Sequence, residues 1–435
     1  MLDWLASLRA GYQPIPAHLS GAYPPAPPDP LDPKPLAEEP DPLHGLGRLL
    51  DLALAEDPGG GRCELRSISL SSPADSEEGL QPLFDRPLVH LQTLRIISQG
   101  PVPASWQHLS SLRSLELRCS SPLHPIDLNS ALGSLPNPSR LLSLQIDVAR
   151  LQLAALDTVD LDQDSPEAIR ARWPAFRRLT GLKSLSVVLS RDSFPVGCLE
   201  VPDLTALTLL DSETSLSTTS AEAVSRMPML ARLAISRLPH EPGQLLSRLS
   251  RSLTSLSLLT LNREDHVAAI RSLQLEELSI AFTPLEFDVP RLNHGPLVAG
   301  LSSLRMMGTS LEGLPQPLTS LTRLAITAPY MARLSASQLP HLRHLHIHNP
   351  SRHPREIFGQ GGRLSSVRRL GLDLQCDERD MVDYSGFRTA DLEDLVHFLR
   401  ALPGILWLHI RIDMPGSGPH NVREIAEVRH IPLLA

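Results

Sequence analysis

Leu109-Ser-Ser-Leu112-Arg-Ser-Leu115-Glu-Leu117 places leucine at 112, 115 and 117, the spacing LxxLxL, and the rest of the chain keeps returning to it. The first apolar positions of the copies are Leu65, Leu91, Leu112, Leu141, Leu182, Leu204, Leu230, Leu253, Leu275, Leu301, Leu321, Leu342, Val367 and Ile405. Most steps between these fourteen copies are 20 to 29 residues. A unit of that length cannot bury its apolar edge alone and must stack on its neighbours, so the period predicts a solenoid.

Within a unit the last two apolar residues are two apart, and on a strand they point the same way. Leu115 and Leu117 are therefore expected to face inward, with Leu112 closing the strand entrance and the residues between them facing out. Strands stacked at about 4.8 Å would make a parallel sheet roughly 65 Å long. A further apolar residue precedes each strand, as in Leu339-Pro340-His341-Leu342, Met227-Pro228-Met229-Leu230 and Leu402-Pro403-Gly404-Ile405. The prolines suit an extended, non-helical entry.

On these copies the chain resembles the leucine-rich repeat family, in an irregular form. The resemblance implies an α/β solenoid, a horseshoe with a parallel concave β-sheet and short helices or irregular turns on the convex side. It also implies a non-catalytic interaction scaffold. The family places Asn or Cys three residues after the last strand leucine, where its side chain pairs with turn backbone. Here that position holds Gln99, Ser120, Ala149, Ser190, Ser212, Leu238, Leu261, Thr283, Thr309, Pro329, Pro350 and Gln375, so irregular turns and uneven curvature are expected.

The 435 residues carry a net charge of −8, all of it within residues 1–90, where 14 acidic residues meet 6 basic ones. The balanced remainder gives no basic surface of the kind nucleic acid requires. Only Lys34 and Lys183 are lysines. Four cysteines, at 63, 119, 198 and 376, are far apart and form no CxxC pair, which points to a reducing compartment. Residues 1–11 do not read as a signal peptide, and no run of 18 apolar residues exists to span a membrane. The expectation is a cytoplasmic monomer, with cytoskeletal or ciliary association open.

The chain divides into a proline-rich segment (1–42), a capping helix and turn (43–64), the solenoid (65–412) and a terminal cap (413–435). Residues 14–42 hold eleven prolines, which suits a tether or a docking site for a polyproline-reading domain. Short helices are expected at 1–10 and 43–55. Inserts fall near 150–180 and 376–402. The first contains an irregular strand at 156–161 and a helix starting at Ser165, with Pro174 as a break. The second ends in a helix over 390–402. The best helical signals in the returns are Ser220–Arg226 and Asp265–Ser272, and residues 421–428 read as a last short helix.

The outward strand positions are mostly serine over the first two thirds of the chain, a smooth surface with little to grip. The last four copies differ. His344, His346 and His348 alternate on one strand and should project together about 7 Å apart. Neighbouring strands add Arg323, Arg369, Asp373, Trp407, His409 and Arg411. Three readings stay open: a metal site through His346 with His409 or Asp373, a solvated polar face, and a patch for a protein partner with acidic segments. No nucleophile elbow, His-Glu-x-x-His helix or phosphate loop is present, and Gly59-Gly60-Gly61 reads as a turn. No enzyme and no cofactor is expected. The alternative to a scaffold is the substrate-recognition subunit of a ubiquitin ligase. Residues 1–60 lack a recognisable F-box for that role, so only a degenerate one would serve.

Overall fold

The computed structural model describes residues 65–72, 84–98, 106–119, 127–148, 174–189, 196, 201–211, 216, 218–261, 263–282, 300–306, 318–327, 339–348, 364–375, 404–413 and 423–429. Expectations for 1–10, 14–42, 43–55, 156–161 and 390–402 lie outside them.

The strands are β1 (Ser67–Ser72), β2 (Thr93–Ser98), β3 (Ser114–Cys119), β4 (Ser143–Val148) and β5 (Ser184–Leu189). Next come β6 (Ala206–Asp211), β7 (Arg232–Ile235), β8 (Ser255–Thr260), β9 (Glu277–Phe282) and β10 (Ser303–Met306). The series ends with β11 (Arg323–Thr327), β12 (His344–His348), β13 (Arg369–Gln375), β14 (Trp407–Asp413) and β15 (Arg423–Arg429). They form one sheet in chain order, parallel from β1 to β14. Each of the fourteen parallel strands starts two residues after the first apolar position of its copy.

The register explains why the pattern is so regular. Ile68 in β1 is followed, strand by strand, by a leucine at the same level, from Leu94 and Leu115 through Leu233 to Leu370 and Leu408. These side chains are nearly inaccessible; Leu94, Leu115 and Leu144 are 0 % exposed. Two residues on, Ile96, Leu117, Ile146 and Ile280 make a second buried row, also at 0 %. A one-residue slip would turn both rows to water, so burial fixes the register. The architecture is an α/β solenoid of leucine-lined repeats, with an open sheet carrying one apolar face.

The strand entrances are turns. In most copies the amide of the first apolar residue donates to the carbonyl three residues earlier, as in Leu91 to Leu88 (3.1 Å), Leu230 to Met227 (3.3 Å) and Leu342 to Leu339 (3.3 Å). Pro228 and Pro340 thus occupy the second turn position, where a fixed φ is an advantage. The next two amides share one carbonyl of the preceding strand entrance; Arg113 and Ser114 both donate to Gln92 (2.8 and 2.9 Å).

Helices fill some returns: α1 (Leu128–Gly133), α2 (Pro174–Arg177), α3 (Thr218–Ser225), α4 (Pro242–Leu249) and α5 (Glu264–Arg271). They stack as the strands do, α1 on α2 and α3 on α4 on α5. Asp127 caps α1 by accepting from the Ser130 amide at 3.0 Å. The helices α3 and α5 fall where the sequence signals place them. Pro174 is the first described residue of α2, and the expected helix from Ser165 lies outside the described residues. Where the family would carry Asn or Cys, Leu238 and Leu261 are buried at 2 %, so these turns are closed by packing.

The last element corrects an expectation. Residues 423–429 form a strand, antiparallel to β14, and not a helix. The exposed edge of β14 presents a row of unpaired backbone groups, and a strand satisfies them where a helix would not. Among the described residues no helix is long and apolar enough to cross a membrane.

Candidate functional site

Every residue singled out in the last four repeats falls on β11 to β14, in three columns of register partners. Arg323, His344, Arg369 and Trp407 form one, continuing back to Ser303 and Glu277. Ala325, His346, Gly371 and His409 form the second. Thr327, His348, Asp373 and Arg411 form the third; Asp373 and Arg411 are placed here by backbone register alone. The alternation that buries leucine sends these residues to the opposite face.

Arg368 sets the spacing of β13 and β14. Its Nη1 donates to the carbonyls of Ser365 and Gly404, both at 3.0 Å, and its own carbonyl accepts from the amides of Leu406 and Trp407 at 2.8 and 3.0 Å. The two entrances are thereby held together, and the Arg369 guanidinium lies 5.2 Å from the centre of the Trp407 ring, a cation–π contact.

A depression of about 400 Å³ opens between β10 and β14. Its floor contains Ala325 and Gly371. Its rim carries Arg305, Arg323 and Arg369 with His344, His346 and His409, and Trp407 stands on the last strand. No carboxylate lines it among the described residues. A methyl group on Gly371 would come within 3.0 Å of the His346 ring, so the missing side chain is what lets that ring lie over β13. Beside it Glu277 lies 3.9 Å from Arg323 with both side chains exposed, a weak pair in water.

The sheet treats its other charges differently. On β2 and β3, Glu116 sits between Arg95 (3.2 Å) and Arg118 (2.8 Å). There a carboxylate neutralises the arginines around it; the depression gathers three arginines with no carboxylate in its lining among the described residues. His344 feels this. Its pKa is lowered from the ordinary 6.5, first by partial burial and then by the charges of Arg369, Arg323 and Arg343.

His346 and His348 lie closer than the expected spacing of about 7 Å. The rings of His346 and His348 stack with centroids 4.2 Å apart and planes 10° from parallel. Parallel rings direct their nitrogens side by side, a poor way to share one ion. Among the described residues, no group of three His, Cys, Asp or Glu is placed to hold a metal. Sequence reasoning missed Arg305, the Arg368 clamp and the part played by Gly371. A hint was there: position five of successive copies reads Arg305, Ala325, His346, Gly371, His409, with small residues among large ones.

A second histidine shares the direction of shift. His266 on α5 is 3 % exposed, and burial lowers its pKa from 6.5 more than the neighbouring Asp265 raises it. An imidazole depressed in the folded state takes up its proton more readily when unfolded, so stability is lost as pH falls through about 6.5 toward the folded values. The melting temperature should therefore drop between about pH 7.5 and 5.5, and His266→Phe should flatten that slope. An unchanged slope would leave His266 without a part in it.

No protein-family model matches the chain, and no curated protein matches it. Among solved structures, a leucine-rich repeat protein of Leptospira interrogans resembles it with a TM-score of 0.33 and 18% identity, over 83% of this chain and 93% of that one.

Proposed function

We propose that this leucine-rich repeat solenoid is a non-catalytic protein-interaction scaffold that receives an acidic segment of a protein partner on β11 to β14. The observation that carries the reading is the depression where three arginines and three histidines gather beside a tryptophan, lined by no carboxylate among the described residues. A concentration of arginines attracts and orients an acidic chain, and Arg and Trp are the residues that anchor interfaces. On the strands before it serine is frequent, and the arginines of β2 and β3 are already paired with Glu116. Repetition supplies the rest, because in-register columns place equivalent side chains about 4.8 Å apart along a continuous face.

An intracellular monomer fits the scattered cysteines, of which Cys119 is a buried thiol. The ubiquitin-ligase alternative turns on residues 1–64, which lie outside the described region.

Trp407→Ala combined with Arg369→Ala tests the assignment. Both side chains are exposed, so folding should survive. Truncating an interface anchor costs about 2 kcal/mol or more, about thirtyfold in affinity. Proteins captured from lysate by the native chain should be depleted on the double variant, and depleted again at high salt. An unchanged set would contradict the reading, while recovery of a ligase adaptor with the native chain would favour the alternative.

A further inference from the structure

The depression has a property that a carboxylate-rich partner alone does not call for. Its arginines come from three different strands, Arg305 from β10, Arg323 from β11 and Arg369 from β13, and all three line the recess. A planar carboxylate is matched by one guanidinium fork, two parallel bonds from a single arginine. A tetrahedral phosphoryl group offers three acceptor oxygens and close to two negative charges, which suits donors arriving from several directions.

The recess itself is built into the strands. Gly371 and Ala325 supply no bulk, and any side chain at 371 would press on His346. Its size, about 400 Å³, admits one protruding side chain with its terminal group. The sheet's habit elsewhere sharpens the contrast: Glu116 answers Arg95 and Arg118 from within the fold, whereas Arg369 is packed on an aromatic ring and Arg323 makes a long, exposed pair with Glu277. His344, held toward its neutral form first by partial burial and then by the arginines, would feel those charges offset by an arriving dianion.

We propose that the depression between β10 and β14 is a seat for a phosphorylated side chain on the acidic partner, bound by Arg305, Arg323 and Arg369 over the floor made by Gly371. This rests on the partner-binding reading above and names the group recognised. A side chain on a flexible segment can enter a recess in a sheet face; a flat lipid surface meets the rim first.

The test uses the full chain and two labelled peptides, Glu-Glu-Ser-Glu-Glu and the same sequence phosphorylated on serine, followed by fluorescence anisotropy. The phosphopeptide should bind at least about tenfold more tightly. Arg305→Gln with Arg323→Gln, both exposed positions, should reduce that preference below about twofold while leaving circular dichroism unchanged. Gly371→Val should also erase the preference by filling the seat. Inorganic phosphate should compete, and vesicles containing phosphatidylinositol phosphate should not sediment the protein.

Equal affinity for both peptides would overturn the seat and leave the acidic-partner reading standing. Absence of binding by either peptide would overturn it too, and the lysate capture by Trp407→Ala with Arg369→Ala would then decide the broader reading separately. Vesicle binding in preference to the phosphopeptide would overturn the assignment to a protein partner.

Discussion

Replacing Leu233 with alanine should remove about 2–5 kcal/mol of stability, the range for truncating a leucine in a core that cannot collapse around the loss. Leu233 is 1 % exposed, and it stands in register with Leu207 on one side and Leu256 on the other. In a solenoid each unit draws its stability from the two interfaces it shares, so a cavity at the centre weakens both. Urea unfolding should show an earlier midpoint, and a shallower slope if the two halves begin to melt apart. Ser257→Ala, between the two buried leucines of the next strand and on the opposite face, should change stability by no more than about 0.5 kcal/mol. A loss below about 1 kcal/mol at Leu233 would mean that the leucine column is not the continuous spine described.

Gly181→Ala should be nearly as damaging for a different reason. Gly181 sits in the turn entering β5, and an added methyl group would run into the carbonyl oxygen of Ser139 and approach its carbonyl carbon to 3.2 Å. Ser139 belongs to the single turn of 3₁₀ helix at Pro138–Arg140, so the obstacle is backbone and cannot rotate aside. Relief requires the entrances of β4 and β5 to separate, at about 1–3 kcal/mol. Gly243 provides the opposite case. It lies in the first turn of α4 with nothing within 4 Å of where a methyl group would sit, and Gly243→Ala should stabilise by about 0.5–1 kcal/mol. Thermal melts of the two variants should move in opposite directions, and movement in the same direction would contradict the packing at one of them.

The strands were legible because their information is local. Two apolar residues two apart, with a third three residues earlier, specify which face is buried, and burial then specifies the register, so the starts of β1 to β14 follow from Leu65 through Ile405. The returns were less legible. In α4 the residues Leu245, Leu246 and Leu249 are buried at helical spacing, but they follow Pro242-Gly243, which by itself reads as a turn. Residues 423–429 combine the helix formers Arg, Glu and Ala with the β-branched Ile425 and Val428, and take strand geometry where β14 has an edge to satisfy. Tertiary demand overrode propensity there.

The candidate site divides along the same line. Its columns were readable, since Arg323, His344, Arg369 and Trp407 occupy one position of successive copies. Side-chain contacts were not. The stacking of His346 on His348, the approach of that ring to Gly371 and the bridging of two turns by Arg368 depend on rotamers and on strands that are 25 to 38 residues apart in sequence.

The arrangement of the parallel sheet is most directly tested by spin-label distances between outward positions of one column, in a chain freed of its four cysteines. Labels at Ser143 paired in turn with Ser184, Ser255 and Ser303 sample β4 against β5, β8 and β10. In-register parallel stacking predicts separations that grow with each intervening strand by about 4.8 Å. Distances that fail to follow strand order would contradict the single stacked sheet on which the partner-binding face depends.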